Sequence, residues 1–139
     1  MEKTFVILKP DCIKQNLVGT ILSLFADKNF KICASKMVHL SEDLLKVHYA
    51  HVANYPFFPE IVSFMRSQPV LLLALQGEGV IKGTRDLLGP TDSTSAPKGT
   101  IRGDYGTNKM ENIAHASDSA ESAREELQRF FSEDEIFDL

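Results

Sequence analysis

Two stretches of the chain are apolar without polar alternation, Thr4-Phe5-Val6-Ile7-Leu8 and Pro69-Val70-Leu71-Leu72-Leu73-Ala74-Leu75. That pattern predicts strands covered on both faces. Lys31 to Leu40 alternates only in part, through Ile32, Ala34, Met37 and Val38, and predicts another strand; Asn112 to Ala116 predicts a short last one. Between them, apolar positions recur at helical spacing. From Leu17 they run through Val18, Ile21, Leu22, Leu24 and Phe25 to a stop at Lys28-Asn29. Ser41 is a good N-cap for a helix over Glu42 to Ala50, and Pro56-Phe57-Phe58-Pro59 breaks the chain before a short helix carrying Ile61, Val62, Phe64 and Met65. Gly77 and Gly79 precede a helix through Val80, Ile81, Leu87 and Leu88, and Ser119 opens a final one over Glu121 to Phe131. Lys9-Pro10-Asp11 reads as the stop of the first strand. Gly89-Pro90 begins a stretch to Gly106, rich in Gly, Pro, Ser and Thr, that reads as a long ordered loop of the kind that carries function. Glu133-Asp134-Glu135 reads as a solvated acidic tail.

Four strands alternating with helices imply one sheet with helices packed on it. The simplest match is an α/β (α+β) fold of the ferredoxin-like βαββαβ kind, a sandwich with a four-stranded antiparallel sheet, expected as a single domain over 1–139. Composition agrees: 139 residues, 43% hydrophobic and 24% charged, suit one core and exclude long-range disorder. A net charge of −4 argues against broad nucleic-acid or membrane-surface binding, so any anion site must be local. The two cysteines, Cys12 and Cys33, make no disulfide scaffold and read as small core residues, with a reactive thiol as the minor alternative. No apolar run approaches the ~20 residues a membrane-spanning helix needs, and no targeting segment is visible. A cytoplasmic protein is expected.

The usual phosphate-binding, dinucleotide-binding, esterase and dithiol signatures are absent from the chain. What remains is a set of cations and small polar residues around the loop: Arg85, Thr91, Lys98, Thr100 and Arg102, with Lys9 at the end of the first strand and Asn112-Ile113-Ala114-His115 in the last. Arginine forks bind phosphate oxygens bidentately, lysine adds a point charge, and hydroxyl or amide groups complete the bonds, so phosphate handling is the chemistry suggested. Each has a plainer alternative. Arg85 can be a solvated helix charge, Lys9 a strand end, and Phe57-Phe58 core aromatics rather than a platform for a base. His115, among small residues, is a candidate proton shuttle or nucleophile, against the commoner structural histidine. His48 and His51, three apart on a helix, could hold a metal, but no third ligand lies near in sequence, and solvated polarity is the simpler reading.

Asn112-Ile113-Ala114-His115-Ala116-Ser117-Asp118-Ser119 resembles the active-site signature of the nucleoside diphosphate kinase family. Thr4-Phe5-Val6-Ile7-Leu8-Lys9-Pro10-Asp11, His48-Tyr49-Ala50, Pro56-Phe57-Phe58-Pro59 and Gly99-Thr100-Ile101-Arg102-Gly103-Asp104 resemble further family motifs in family order, from about Lys3 to Phe131. The resemblance implies a ping-pong exchange in which a nucleoside triphosphate such as ATP phosphorylates His115 and the phosphohistidine passes its phosphoryl to a diphosphate such as GDP. It implies Glu126, Tyr49 and Ser117 as the surroundings of that histidine. Arg85, Thr91 and Arg102 match phosphate clamps, Lys9 and Asn112 the groups meeting ribose and phosphate, and Phe57 the aromatic under the base. Mg²⁺ is implied as the cofactor, held through nucleotide phosphates with no ligand directly from the protein. Broad base and sugar specificity and a homo-oligomer, hexamer or tetramer, follow from the same likeness, with no stable nucleic-acid partner and no membrane. Ala116 stands where many members have glycine, Ser93 where proline is usual, and Lys109-Met110-Glu111 replaces a more typical Val-Gly-Arg run. Two rivals share the fold: a non-catalytic nucleotide-sensing module, and a phosphotransferase whose acceptor is a protein.

Overall fold

A computed structural model describes residues 1–139. Its elements are β1 (Lys3–Leu8), α1 (Pro10–Lys14), α2 (Val18–Asp27), β2 (Lys31–Val38), α3 (Glu42–His48), α4 (Phe58–Met65), β3 (Val70–Gln76), α5 (Val80–Leu88), α6 (Ile101–Tyr105), β4 (Ala114–Ala116) and α7 (Ala120–Phe130), followed by a 3₁₀ turn at Glu133–Glu135. The four strands form one sheet in the order β2-β3-β1-β4, antiparallel throughout. This is the ferredoxin-like topology expected from the alternation of elements, with α3 and α4 inserted between β2 and β3.

The two unbroken apolar runs occupy the two central strands. Phe5 and Ile7 face a core closed by Leu45, Phe58, Met65, Leu127 and Phe130; Val6 and Leu8 face a second core closed by Ile21, Phe25, Val80, Leu88 and Ile101. Each central strand is thus covered on both sides, which is why its sequence lacks alternation. β2 lies at an edge and keeps exposed positions, including Ile32 and Met37. No helix is long and apolar enough to cross a membrane. Both cysteines are free and buried, and burial pushes the Cys12 thiol up to about 12, so they are core residues.

Three expectations require correction. Lys9-Pro10-Asp11 ends β1 but also starts a helix: Pro10 occupies the first position of α1, where its missing N–H and fixed φ are compatible with helix. The stretch from Gly89 to Gly106 contains α6, whose N-cap Thr100 accepts from Gly103 N–H at 3.0 Å. Gly103 allows this turn to press against the loop, because a Cβ there would lie 2.0 Å from the Pro97 carbonyl oxygen. The acidic tail is folded rather than simply solvated. Ser132 and Glu135 form a capping box, Glu135 meets Lys36 at 2.9 Å, and Phe137 N–H donates to the Cys33 carbonyl at 2.9 Å.

Candidate active site

β4 places His115 opposite Ile7 of β1, on the face of the sheet covered by α3, α4 and α7. The ring therefore points toward α7 and α3. Its Nε2 lies 2.8 Å from Glu126 Oε1, and Ser117 Oγ donates to the same oxygen at 2.6 Å. Burial pushes Glu126 up, but the hydrogen bond and charge of His115, the bond from Ser117 and the charge of His48 outweigh it and leave the carboxyl below its ordinary value. An ionised carboxylate only accepts, so Nε2 is the donor and the lone pair of a neutral ring lies on Nδ1.

His48 overturns the reading of a solvated helix residue. It is buried, and its ring meets that of His115 edge to face at 4.6 Å, with Phe5, Phe130 and Tyr49 around it. Burial, with His115 and Arg129 nearby, pushes it down to about 3, so it stays neutral and its Nδ1 takes a hydrogen bond from Arg129 Nη1 at 3.1 Å. The third metal-type ligand missing near His48 in sequence arrives in space. His48, His115 and Glu126 present ligand atoms within 4.8 Å of one another, while His51 is exposed. His115 Nε2 and Glu126 Oε1 are already bonded to each other, Glu126 also accepts from Ser117, and His48 Nδ1 accepts from Arg129.

Two adjoining cavities share Tyr49 as a wall. One, about 350 Å³, is lined by His48, His115, Arg85, Asp118 and Glu126 among others. The other, about 630 Å³, runs past Lys9 to Phe57, Ile61, Lys109 and Met110. The Phe57 ring is 45% exposed and meets Tyr55 edge to face at 5.4 Å, leaving a face available for stacking. The cleft thus joins an aromatic platform at one end to an imidazole at the other.

Lys9 is buried, donating to Asn112 Oδ1 at 2.7 Å and the Met110 carbonyl at 2.9 Å. Burial first, and the charge of Arg102, hold it down at about 8 against the attraction of Asp11. Arg85 donates to the Ala116 carbonyl at 3.2 Å. Arg102 is buried and spends Nε on the Asn112 carbonyl, Nη1 on Gly89 and Nη2 on Ala114, at 3.2, 3.0 and 2.7 Å. One N–H on each terminal nitrogen remains. Burial and the neighbouring Arg85 push its guanidinium down to about 10. Neither arginine meets a carboxylate, and cations crowded together without one favour an anion between them. Thr91, Arg102 and Asn112 line neither cavity; Thr91 offers its carbonyl to Asn112 Nδ2 at 3.0 Å. Arg129 and Asp11 also bear on the site, and no pattern of spacing in the sequence marks either. No set of free carboxylates converges in the cleft: Glu126 is tied to His115 and Ser117, and Asp92 to Thr94. Such a donor set suits a hard divalent ion carried in on substrate phosphates better than one held in a protein cage.

A cation-lined cleft with a buttressed histidine and an aromatic platform, on a ferredoxin-like sheet, has the features of a nucleotide phosphotransferase. The nucleoside diphosphate kinase family model matches residues 2–136, and the chain belongs to that family. The nucleoside diphosphate kinase of Acetivibrio thermocellus is 47% identical over 133 residues, covering 96% of this chain and 98% of its own. That of Rhodopirellula baltica is 44% identical over 138 residues, covering 99% and 91%. Among solved structures, the halophilic enzyme of Halobacterium salinarum in complex with CDP superposes with a TM-score of 0.95 at 37% identity, covering 99% of this chain and 92% of its own. The protein is accordingly an enzyme, a nucleoside diphosphate kinase by family and a phosphotransferase by class.

Proposed function

We propose that the chain transfers the γ-phosphoryl of a nucleoside triphosphate to a nucleoside diphosphate in two half-reactions through phospho-His115. The observation that carries this reading is the Glu126–His115 bond, which leaves Nδ1 as the free nucleophilic nitrogen of a ring lining the cleft. Nδ1 attacks the γ-phosphorus, the bond to the β-phosphate oxygen breaks, and the nucleoside diphosphate leaves with that electron pair. The ring gains positive charge as the N–P bond forms, and the Glu126 carboxylate, held by Ser117, offsets it. A second nucleoside diphosphate reverses the step. Tyr49 walls the reacting end, Arg85, Arg102 and Thr91 neutralise or bond the phosphates, Lys9 and Asn112 meet the sugar and phosphate end, and Phe57 stacks the base. Mg²⁺ on the nucleotide phosphates supplies charge neutralisation and orientation. Stacking accepts every base, which supports broad base specificity, and tolerance of either sugar belongs to the same reading. The same reading makes the protein a cytosolic homo-oligomer, hexamer or tetramer, of one domain per chain.

Incubation with MgATP should add one acid-labile, base-stable phosphoryl group, and GDP should then discharge it as GTP. A protein that never gains the group, or His115→Gln exchanging at the parent rate, refutes the mechanism. A non-catalytic nucleotide sensor would bind nucleotide and stay unlabelled; a protein-directed transferase would label but hold its phosphoryl in GDP.

A further inference from the structure

The residue that delivers His115 to the cleft is strained. Ile113 has φ +77°, in a region that a β-branched side chain rarely enters, and its side chain is wholly buried. Ala114 N–H donates to the Asn112 carbonyl at 2.9 Å, so Ile113 is the centre of a three-residue γ-turn. Strain of this kind persists only where the surroundings over-determine it. Here the surroundings are named. Ile113 N–H donates to Asp11 Oδ2 at 3.0 Å, and its carbonyl accepts from Lys9 N–H at 2.9 Å. Asp11 is itself buried on the first turn of α1, 102 residues away in sequence, and its other oxygen, Oδ1, has no partner.

We infer that Asp11 is a positioning residue for the phosphoryl-transfer reaction: it holds Ile113 in the γ-turn and thereby sets the height and direction at which His115 meets the nucleotide. β4 is too short to do this alone, since only three of its residues pair with β1. Without the carboxyl acceptor the Ile113 N–H is a buried orphan, and the turn's preferred escape is to rotate Ile113 back to negative φ. That rotation tips Ala114, the one residue between Ile113 and His115, and the ring with it. The first turn of α1, opened by a proline that fixes its geometry, is thus part of the catalytic scaffold rather than a connector.

The inference rests on phospho-His115 as the intermediate, and the experiment separates the two. Single-turnover phosphorylation by MgATP is followed in the parent, Asp11→Ala, Asp11→Asn, Ile113→Gly and the double variant Asp11→Ala/Ile113→Gly, with MgADP affinity measured on each. In Asp11→Ala the rate constant at saturating nucleotide should fall about 10- to 100-fold, the range set by release of one strained backbone conformation at Ile113. MgADP affinity should stay within about twofold of the parent's. Asp11→Asn, which keeps an oxygen for the Ile113 N–H, should recover most of the rate. Glycine adopts positive φ freely. In the Ile113→Gly background, removing Asp11 should therefore cost less than about threefold. Equal rates in Asp11→Ala and parent overturn the inference, as does an equal loss in the isoleucine and glycine backgrounds. If Asp11→Ala does not fold, Asp11→Asn is compared in the two backgrounds together with amide exchange at residue 113, and parent-like protection in Asp11→Ala/Ile113→Gly alongside an unrecovered rate overturns it equally. A parent that never becomes phosphorylated refutes the proposed mechanism instead.

Discussion

Replacing Arg102 by alanine should unfold the protein more readily, and by an amount the geometry sets. The guanidinium is 4% exposed and donates to three backbone carbonyls, those of Asn112, Gly89 and Ala114, which belong to the segment leading into β4 and to the end of α5. Each bond contributes about 1–1.5 kcal/mol net, and truncation removes all three at once, leaving the Asn112 carbonyl only its bond from Ala114 N–H, so a loss of about 3–5 kcal/mol is expected. With a urea m-value of about 2 kcal/mol/M for a chain of this size, the unfolding midpoint should drop by about 2 M at fixed protein concentration. Arg102→Lys, which cannot span three acceptors, should lose most of the same stability. The assay is urea unfolding followed by far-ultraviolet circular dichroism without nucleotide. A midpoint within about 0.5 M of the parent's would show that the three bonds are incidental and that Arg102 serves phosphate alone.

Lys9 gives a pH signature. It is held at about 8 against an ordinary 10.5, so between those values the unfolded chain keeps a proton that the folded chain has lost. Stability from this group therefore rises with pH across that window, is complete above about 10.5, and is lost as pH falls back through the window, with no further change below about 8. Lys9→Met should abolish the rise in urea titrations run on either side of the window, and an unchanged slope refutes the assignment. Ser93 is buried beside Gly106 with a hydroxyl that has no partner. Ser93→Ala should raise stability by up to about 1 kcal/mol in the same assay, whereas a loss would mean that the hydroxyl is bonded in solution.

The sheet was legible because burial on both faces imposes a simple pattern: Phe5 to Leu8 and Val70 to Leu75 read as central strands and are central strands. The short helices were not. α1 hides because Pro10 looks like a terminator when it is an initiator, and α6 hides because five residues within a polar loop hold no periodicity. His115 was legible as a candidate from its small neighbours; of its partners, Glu126 came only through the family resemblance and His48 not at all, since both reach it only through the packing of α7 and α3 on one face of the sheet. Arg102 shows the limit from the other side. Its charge was visible and suggested phosphate, while its three bonds to carbonyls of residues 89, 112 and 114 depend on loop closure that no local pattern encodes.

β4 contributes only three rungs, at the outer margin of the sheet, and a single strand beside it. In such a margin the ladder opens more readily than in the central strands, so the proposed nucleophile rides on a short edge strand. Ile113, Ala114 and Ala116 are buried in the second core, so fraying there loosens the margin of that core while the first stays closed, and heat or denaturant should disturb the histidine's setting before it dissolves the fold.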